Sequence, residues 1–313
     1  MTAITKRMEI PTNKQRIVVY MEFFMKRLVL ISLILFLIAG EVLKEAYSES
    51  LDSSRETKTQ ELLSSDKIKT GIEMLRKAAE EGDAVAQVNL GWAYLNGTGI
   101  EQSDKEAIKW FRKAAERGNA IAQTNLGWML ITAKGVPQDN KEAVKWFRKA
   151  AEQGNVNAQD DLGLMLIKGE GISQDYEEGT QWLRKAAEQG FANAQADLGL
   201  MYFNGRGVEK SFTEAAKWFR KAAEQGNAVA QVNLGWRCAE GEGAPQDYTE
   251  AYKWFKLAAA QGIEAAANAL KEMIPHMTPA QIAEGKRLSA AFVASKSSSS
   301  DYMDTKALKD RSP

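Results

Sequence analysis

The chain has 313 residues, with 41 Lys and Arg against 41 Asp and Glu; at zero net charge it has no global field to draw nucleic acid or an anionic membrane. One Cys and one His exclude an internal disulfide and a Cys/His zinc set. Only 6 residues are Pro, Ala is frequent, and 44% are hydrophobic, which points to a helical chain of ordinary globular composition.

The first predicted element is a targeting segment. Lys26 and Arg27 precede an unbroken apolar run at 28–39 (LVLISLILFLIA), the charged-then-apolar order of a secretory signal. That run is shorter than the roughly 20 residues a membrane-spanning helix needs. Residues 1–48 are therefore read as an N-terminal extension and signal peptide, cut near Ala46-Tyr47-Ser48 or near Ala39-Gly40. Translation starting at Met21 or Met25 would give a leader of ordinary length. The protein is expected to be exported, periplasmic or secreted; the alternative is an uncut segment that anchors it to the inner membrane. Residues 49–65 are polar, carry no helical stripe and read as a linker.

From residue 66 a 36-residue period takes over. Leu-Gly recurs at Leu90-Gly91, Leu126-Gly127, Leu162-Gly163, Leu198-Gly199 and Leu234-Gly235, and Trp recurs at Trp110, Trp146, Trp182, Trp218 and Trp254. Gly82, Gly118, Gly154, Gly190, Gly226 and Gly262 punctuate the same series without an insertion. A fixed period of this length marks a repeat architecture whose unit is one supersecondary element.

Each unit holds two predicted helices, A and B. Helix B starts at Ser103, Asp139, Asp175, Ser211 or Asp247, and Glu stands three residues later at Glu106, Glu142, Glu178, Glu214 and Glu250. That spacing predicts a reciprocal capping box, the Glu side chain returning to the cap amide. Asp83, Asn119, Asn155 and Asn227 are suited to cap helix A; Phe191 in the fourth unit predicts a weaker start.

Ala86, Leu90 and Tyr94 form the core stripe of helix A, and Ala107, Trp110, Phe111, Ala114 and Ala115 that of helix B. Gly in mid-helix costs about 1 kcal/mol against Ala, so Gly91 and its equivalents predict a helix passing too close for a side chain. Lys271 at the last such position predicts that the close partner is missing. By the same logic Gly163→Leu is expected to damage the fold more than Gly135→Ala, which reads as a change in a surface turn.

The ends differ from the middle, as stacked units require. Residues 66–81 read as a helix B without its partner, with Met74 in the Trp position, and 263–273 as a degenerate helix A. Thr278-Pro279-Ala280-Gln281 starts a capping helix, and 295–313 reads as a disordered tail. The predicted fold is all-α: a right-handed α-solenoid of antiparallel helix pairs, with repeats and cap spanning 66–294.

These residues resemble the Sel1-like repeat, a relative of the tetratricopeptide repeat. The match is clearest at 194–208 (AQADLGLMYFNGRGV) followed by 214–226 (EAAKWFRKAAEQG), and it runs from about Lys69 to Gly262. The resemblance implies an adaptor that holds proteins together. Two departures stand out: Ala133 replaces the loop Gly of Gly97, Gly169, Gly205 and Gly241, which predicts a differently shaped loop, and Cys238 replaces the Tyr of Tyr94 and Tyr202. A cysteine-rich branch of the family has a disulfide in each repeat and members labelled β-lactamases. This chain lacks those cysteines, so neither property carries over.

No catalytic constellation is visible. Cys238 has no His nearby in sequence and reads as a small core residue; His276 sits in a turn between Pro275 and Met277. The Gly-x-Gly sequences follow helices rather than strands and read as helix-ending turns. The basic row at Lys109 and Arg112 alternates with Glu106 and Glu116 and reads as a solvated face. No cofactor and no metal set is implied.

The informative surface lies on helix A, away from its core stripe. There Trp92, Trp128, Leu164, Leu200 and Trp236 run in register beside Asn89, Asn125, Asp161, Asp197 and Asn233, extended by Val85, Ile121 and Val229. Helix A lines the concave side in repeats of this kind, so the row either binds a partner, with Trp as typical hot-spot residues, or packs adjacent A helices. AVAQVNLGW occurs identically at 84–92 and 228–236, which indicates recent duplication. The expected function is an exported scaffold that binds a protein or peptide. The alternatives are a carbohydrate or peptidoglycan binder that stacks sugars on the Trp row, and, with less support, a β-lactamase-like or cell-wall enzyme.

Overall fold

The computed structural model describes residues 65–309, with side chains from 68 to 296. The apolar run at 28–39 and the linker up to residue 64 lie outside the described residues. Among the described residues, no helix is long and apolar enough to cross a membrane.

Thirteen α-helices and one short 3-10 turn make up the described chain, and it has no strand. It divides into two compact units, with the boundary between Asn155 and Val156. The first holds α1 (Ser65–Glu81), the pair α2 (Ala84–Asn96) and α3 (Asp104–Glu116), and the pair α4 (Ala120–Thr132) and α5 (Asn140–Glu152). The second holds three pairs: α6 (Val156–Lys168) with α7 (Tyr176–Glu188), α8 (Ala192–Asn204) with α9 (Phe212–Glu224), and α10 (Ala228–Glu240) with α11 (Tyr248–Ala260). It closes with α12 (Glu264–Met273) and α13 (Pro279–Lys309). Helix pairs repeating every 36 residues are an α-solenoid, as the periodicity predicts. The last helix continues past residue 294, into the segment expected to be disordered.

The start of each B helix is half as predicted. Ser103, Asp139, Asp175, Ser211 and Asp247 each accept from the amide of the Glu three residues on. The cap amide, however, donates to a carbonyl near the end of the preceding A helix, as Ser103 does to Tyr94 at 2.9 Å and Asp247 to Cys238 at 2.8 Å. The Glu side chain is thereby released for other partners. Glu142, Glu178 and Glu250 accept from the indole N–H of Trp146, Trp182 and Trp254 at 3.1–3.2 Å. Among the A helices, Asp83, Asn119 and Asn227 cap through their side chains, and Phe191 makes no side-chain cap bond, as expected.

The mid-helix glycines do mark a close neighbour, and it is the B helix of the same pair. A Cβ on Gly91, Gly127, Gly199 or Gly235 would fall 2.6–2.8 Å from the ring of Phe111, Phe147, Phe219 or Phe255. In the α6–α7 pair Leu183 takes the Phe place and Gly179 faces Gly163, each glycine's missing Cβ lying 2.8–2.9 Å from the other's carbonyl oxygen. Lys271 in α12 is exposed, consistent with the absent partner.

Two side-chain devices tie neighbouring pairs together. The helix-A glutamines Gln87, Gln123, Gln195 and Gln231 are buried and donate to Ala79, Ala115, Ala187 and Ala223 of the preceding B helix at 2.9–3.2 Å. The glutamine at the end of the next B helix then donates to the oxygen of the first: Gln153 to Gln123, Gln189 to Gln159, Gln225 to Gln195 and Gln261 to Gln231, at 2.7–2.9 Å. The second device is an arginine. Arg76 and Arg184 donate to the hydroxyls of Tyr94 and Tyr202. Where Leu130 and Cys238 offer no such hydroxyl, Arg112 and Arg220 turn to Glu142 and Glu250.

The glutamine ladder has one missing rung. Arg117 stands where the other pairs have Gln; its guanidinium lies over Gly82, and Gln87 Oε1 is buried without a hydrogen-bond partner. A buried acceptor left unmade costs roughly 1–3 kcal/mol. Arg117→Gln is therefore expected to stabilise the chain by about 0.5–1.5 kcal/mol, read as a higher urea midpoint. An unchanged or lower midpoint would show that the rung does not form there.

The C-terminal end is closed by α13. Phe292 meets Trp254 edge to face at 5.6 Å, and Gly285 lets the helix approach Tyr252, whose side chain a Cβ would meet at 2.7 Å. At the N-terminal end Met74, in the Trp position of α1, is exposed.

Candidate functional site

The helix-A row predicted to bind or to pack takes two forms. In the first unit it is open. Val85 on α2 is 60% exposed and Ile121 on α4 is 54% exposed, at the same repeat position. One and two turns further along stand Asn89 and Trp92, and Asn125 and Trp128. The two Trp are half-buried and meet Phe111 and Phe147 edge to face at 5.5 and 6.1 Å. Asn89 Nδ2 and Asn125 Nδ2 are covered atoms with no acceptor among the described residues.

On α6 and α8 of the second unit the row is sunken. Asp161 and Leu164 on α6, and Asp197 and Leu200 on α8, are all buried. Leu is too short to reach the surface that Trp reaches, and Asn193 takes the Ile121 position, accepting from Asn227 Nδ2 at 2.9 Å. On α10 Trp236 is half-buried against Phe255 at 5.2 Å. Asn233 Nδ2 donates to the Val229 carbonyl at 2.9 Å, so the duplicated nonapeptide is satisfied here and unsatisfied at 84–92. Val229 itself is half-buried.

Charge distinguishes the two units further. Helices α2 and α4 contain no Asp, Glu, Lys or Arg, whereas α6, α8 and α10 do. Shallow hollows on the outer faces of α1 and α5 are lined by mixed charges, such as Arg76 with Glu80 and Lys145 with Glu152, and gather no convergent set of one sign.

Cys238 is fully buried, with Sγ 3.5 Å from Glu250 Oε2. Burial first, and then the Glu250 charge, push the thiol up to about 12, so it stays protonated near neutrality and is a poor nucleophile. Burial alone would raise the Glu250 carboxyl, but the hydrogen bond and charge of Arg220 outweigh it and hold it below the usual range. Burial foremost lowers the Lys253 ammonium. The group is a paired structural knot in a slot sized for Tyr. His276 is exposed in the 3-10 turn. Among the described residues no three His, Cys, Asp or Glu side chains are grouped to hold a metal ion.

Two buried charged residues, Asp160 and Arg237, were not singled out by the sequence. Arg237 lies over the Phe203 ring at 4.3 Å and pairs with Glu240 and Glu242 at 2.8 and 3.3 Å. The available signal was the replacement of a methionine, since Met129, Met165 and Met201 hold the equivalent positions. Its carboxylate partners lie on its own helix end and loop, which it holds, and its ring partner Phe203 lies on α8.

The glycine-punctuated helix pairs and their 36-residue period agree with comparisons to known proteins. The Sel1 repeat model matches residues 63–83, 84–119, 120–155, 156–191, 192–227 and 228–263. No curated protein matches the chain. Among solved structures, a Sel1 repeat protein from Oxalobacter formigenes is similar at 35% identity, covering 70% of this chain and 87% of its own, with a TM-score of 0.62. A protective antigen of uropathogenic Escherichia coli strains that displays an SLR fold is similar at 30% identity, covering 72% of this chain and 56% of its own, with a TM-score of 0.51. Sel1 repeat proteins are generally scaffolds for protein interaction and typically not catalytic; with six matched repeats and this helix-pair architecture, the chain belongs to the Sel1 repeat family.

Proposed function

We propose that this protein is a non-catalytic scaffold that binds a protein or peptide on the helix-A face of its first unit. The observation that carries the reading is the pair of exposed aliphatics, Val85 and Ile121, in register on α2 and α4 beside half-buried Trp92 and Trp128. Large apolar side chains left in water at matching positions, next to aromatic anchors, form the kind of patch a partner covers. The sunken residues Asp161, Leu164, Asp197 and Leu200 then support the fold beside Asn233 and Trp236, and the contact surface is concentrated in the first unit. An exported location rests on Lys26, Arg27 and the run at 28–39. A sugar-stacking use of the Trp row remains the alternative, and titration with sugar oligomers while following tryptophan fluorescence separates it.

The test is site-specific crosslinking. A photoreactive phenylalanine analogue at Ile121 is expected to trap a discrete protein partner, and the adduct should vanish in the Trp128→Ala background. The same analogue at Lys109, on the outer face of α3, should trap none. Equal trapping at both positions would remove the surface from α2 and α4.

A further inference from the structure

Resting on that reading, we infer that the α2–α4 face selects an uncharged, extended segment of polypeptide, recognised through its backbone carbonyls. Three observations converge on this chemistry. First, neither helix carries Asp, Glu, Lys or Arg, so a charge placed over the Trp pair would lose water and gain no counter-charge from them. The flanking Asp83 is already committed, accepting from the Val85 and Ala86 amides at 2.7 and 2.8 Å. Second, Asn89 and Asn125 each hold an amide donor that lacks an acceptor, one on each helix at the same repeat position. Third, Val85 and Ile121 stand one turn before them and are exposed.

What this set lacks is hydrogen-bond acceptors and apolar surface, without charge. An extended backbone supplies both: its carbonyls are not satisfied internally, and alternate side chains can lie on Val85 and Ile121. A helical ligand has already spent its carbonyls within itself and leaves the two carboxamides unmet. Because Asn89 Nδ2 and Asn125 Nδ2 are covered atoms, a turn of each side chain accompanies binding. The second unit is not a second copy of this site. Its equivalent Asn233 is already bonded, and Asp161 and Asp197 occupy the other two positions.

The full chain is titrated calorimetrically with two acetylated, amidated nonapeptides. One is Thr-Val-Gln-Val-Thr-Val-Gln-Val-Thr; the other replaces its two Gln by Lys and Glu. The uncharged peptide is expected to bind about tenfold more tightly or better, a difference of the size expected for desolvating an unpaired charge. Its affinity should change less than about twofold between roughly 0.05 and 0.5 M salt, since no ion pair is screened. Asn125→Leu should weaken binding by about threefold or more with no loss in melting temperature, because it removes a donor and not a bond. Equal binding of the charged peptide, steep salt dependence, or no binding of either peptide overturns the inference. In each of those cases persistent, Trp128-dependent crosslinking at Ile121 would leave the docking surface standing, with a ligand of other chemistry.

Discussion

Gly135→Ala is expected to destabilise the chain by about 2–5 kcal/mol, a large effect for one methyl group on a loop. Two costs add. Gly135 has φ of 73°, in the left-handed region where a Cβ costs about 1–2 kcal/mol. Its Cβ would also fall 2.6 Å from the backbone carbon and oxygen of Asp104, at the start of α3. Backbone cannot rotate aside as a side chain can, so the loop must lift off the helix, which typically costs about 1–3 kcal/mol. Gly118→Ala is the control: its φ is 90° and nothing lies within 4 Å of the added Cβ. It should cost about 1–2 kcal/mol, the backbone strain alone. Urea midpoints of the two variants test this, and equal losses would mean that the Gly135–Asp104 contact is loose. Gly135 is thus not a free surface turn, and Gly163→Leu loses the clear lead that the sequence assigns it. In the second unit Gly207 and Gly243 sit in the same way over the backbone of Tyr176 and Phe212, so the contact is a property of the repeat.

Trp254→Ala should be the most damaging of the tryptophan changes, at about 3–5 kcal/mol. Trp254 is 0% exposed, donates its indole N–H to Glu250, lies beneath Lys253 and packs on Phe292 of the closing helix. Removing it opens a cavity and unseats α13 together. Trp128→Ala removes a half-buried ring that meets the edge of Phe147, and should cost about 1–2 kcal/mol while abolishing ligand binding. The sequence places Trp146 with the core tryptophans, but it is only half-buried, so Trp254 makes the sharper comparison. Thermal melts and the crosslinking yield of each variant read the two effects separately. If Trp128→Ala melts as low as Trp254→Ala, the helix-A row is structural, and the binding reading of that face is wrong.

Much of this protein was settled by its amino acids alone. The 36-residue period, the caps at Ser103 and Asp139, the mid-helix glycines and the missing cap at Phe191 are local signals. Each acts through its own backbone or through the helix next in sequence, and any chain with this spacing builds the same pairs. Three things were decided only when the pairs packed. Ala133 adopts the left-handed conformation of its glycine counterparts, with φ of 55°, because Lys134 and Asp139 still bond back to α4 and hold the loop in the common shape. The capping Glu side chains were freed because the cap amides found carbonyls on the neighbouring A helix, a partner that sequence spacing does not reveal. The helix-A row, uniform in register along the chain, was divided into an open half and a sunken half. Exposure depends on the size of each side chain and on what the adjacent helix offers it, and one nonapeptide therefore leaves its Asn unmet at 84–92 and bonded at 228–236.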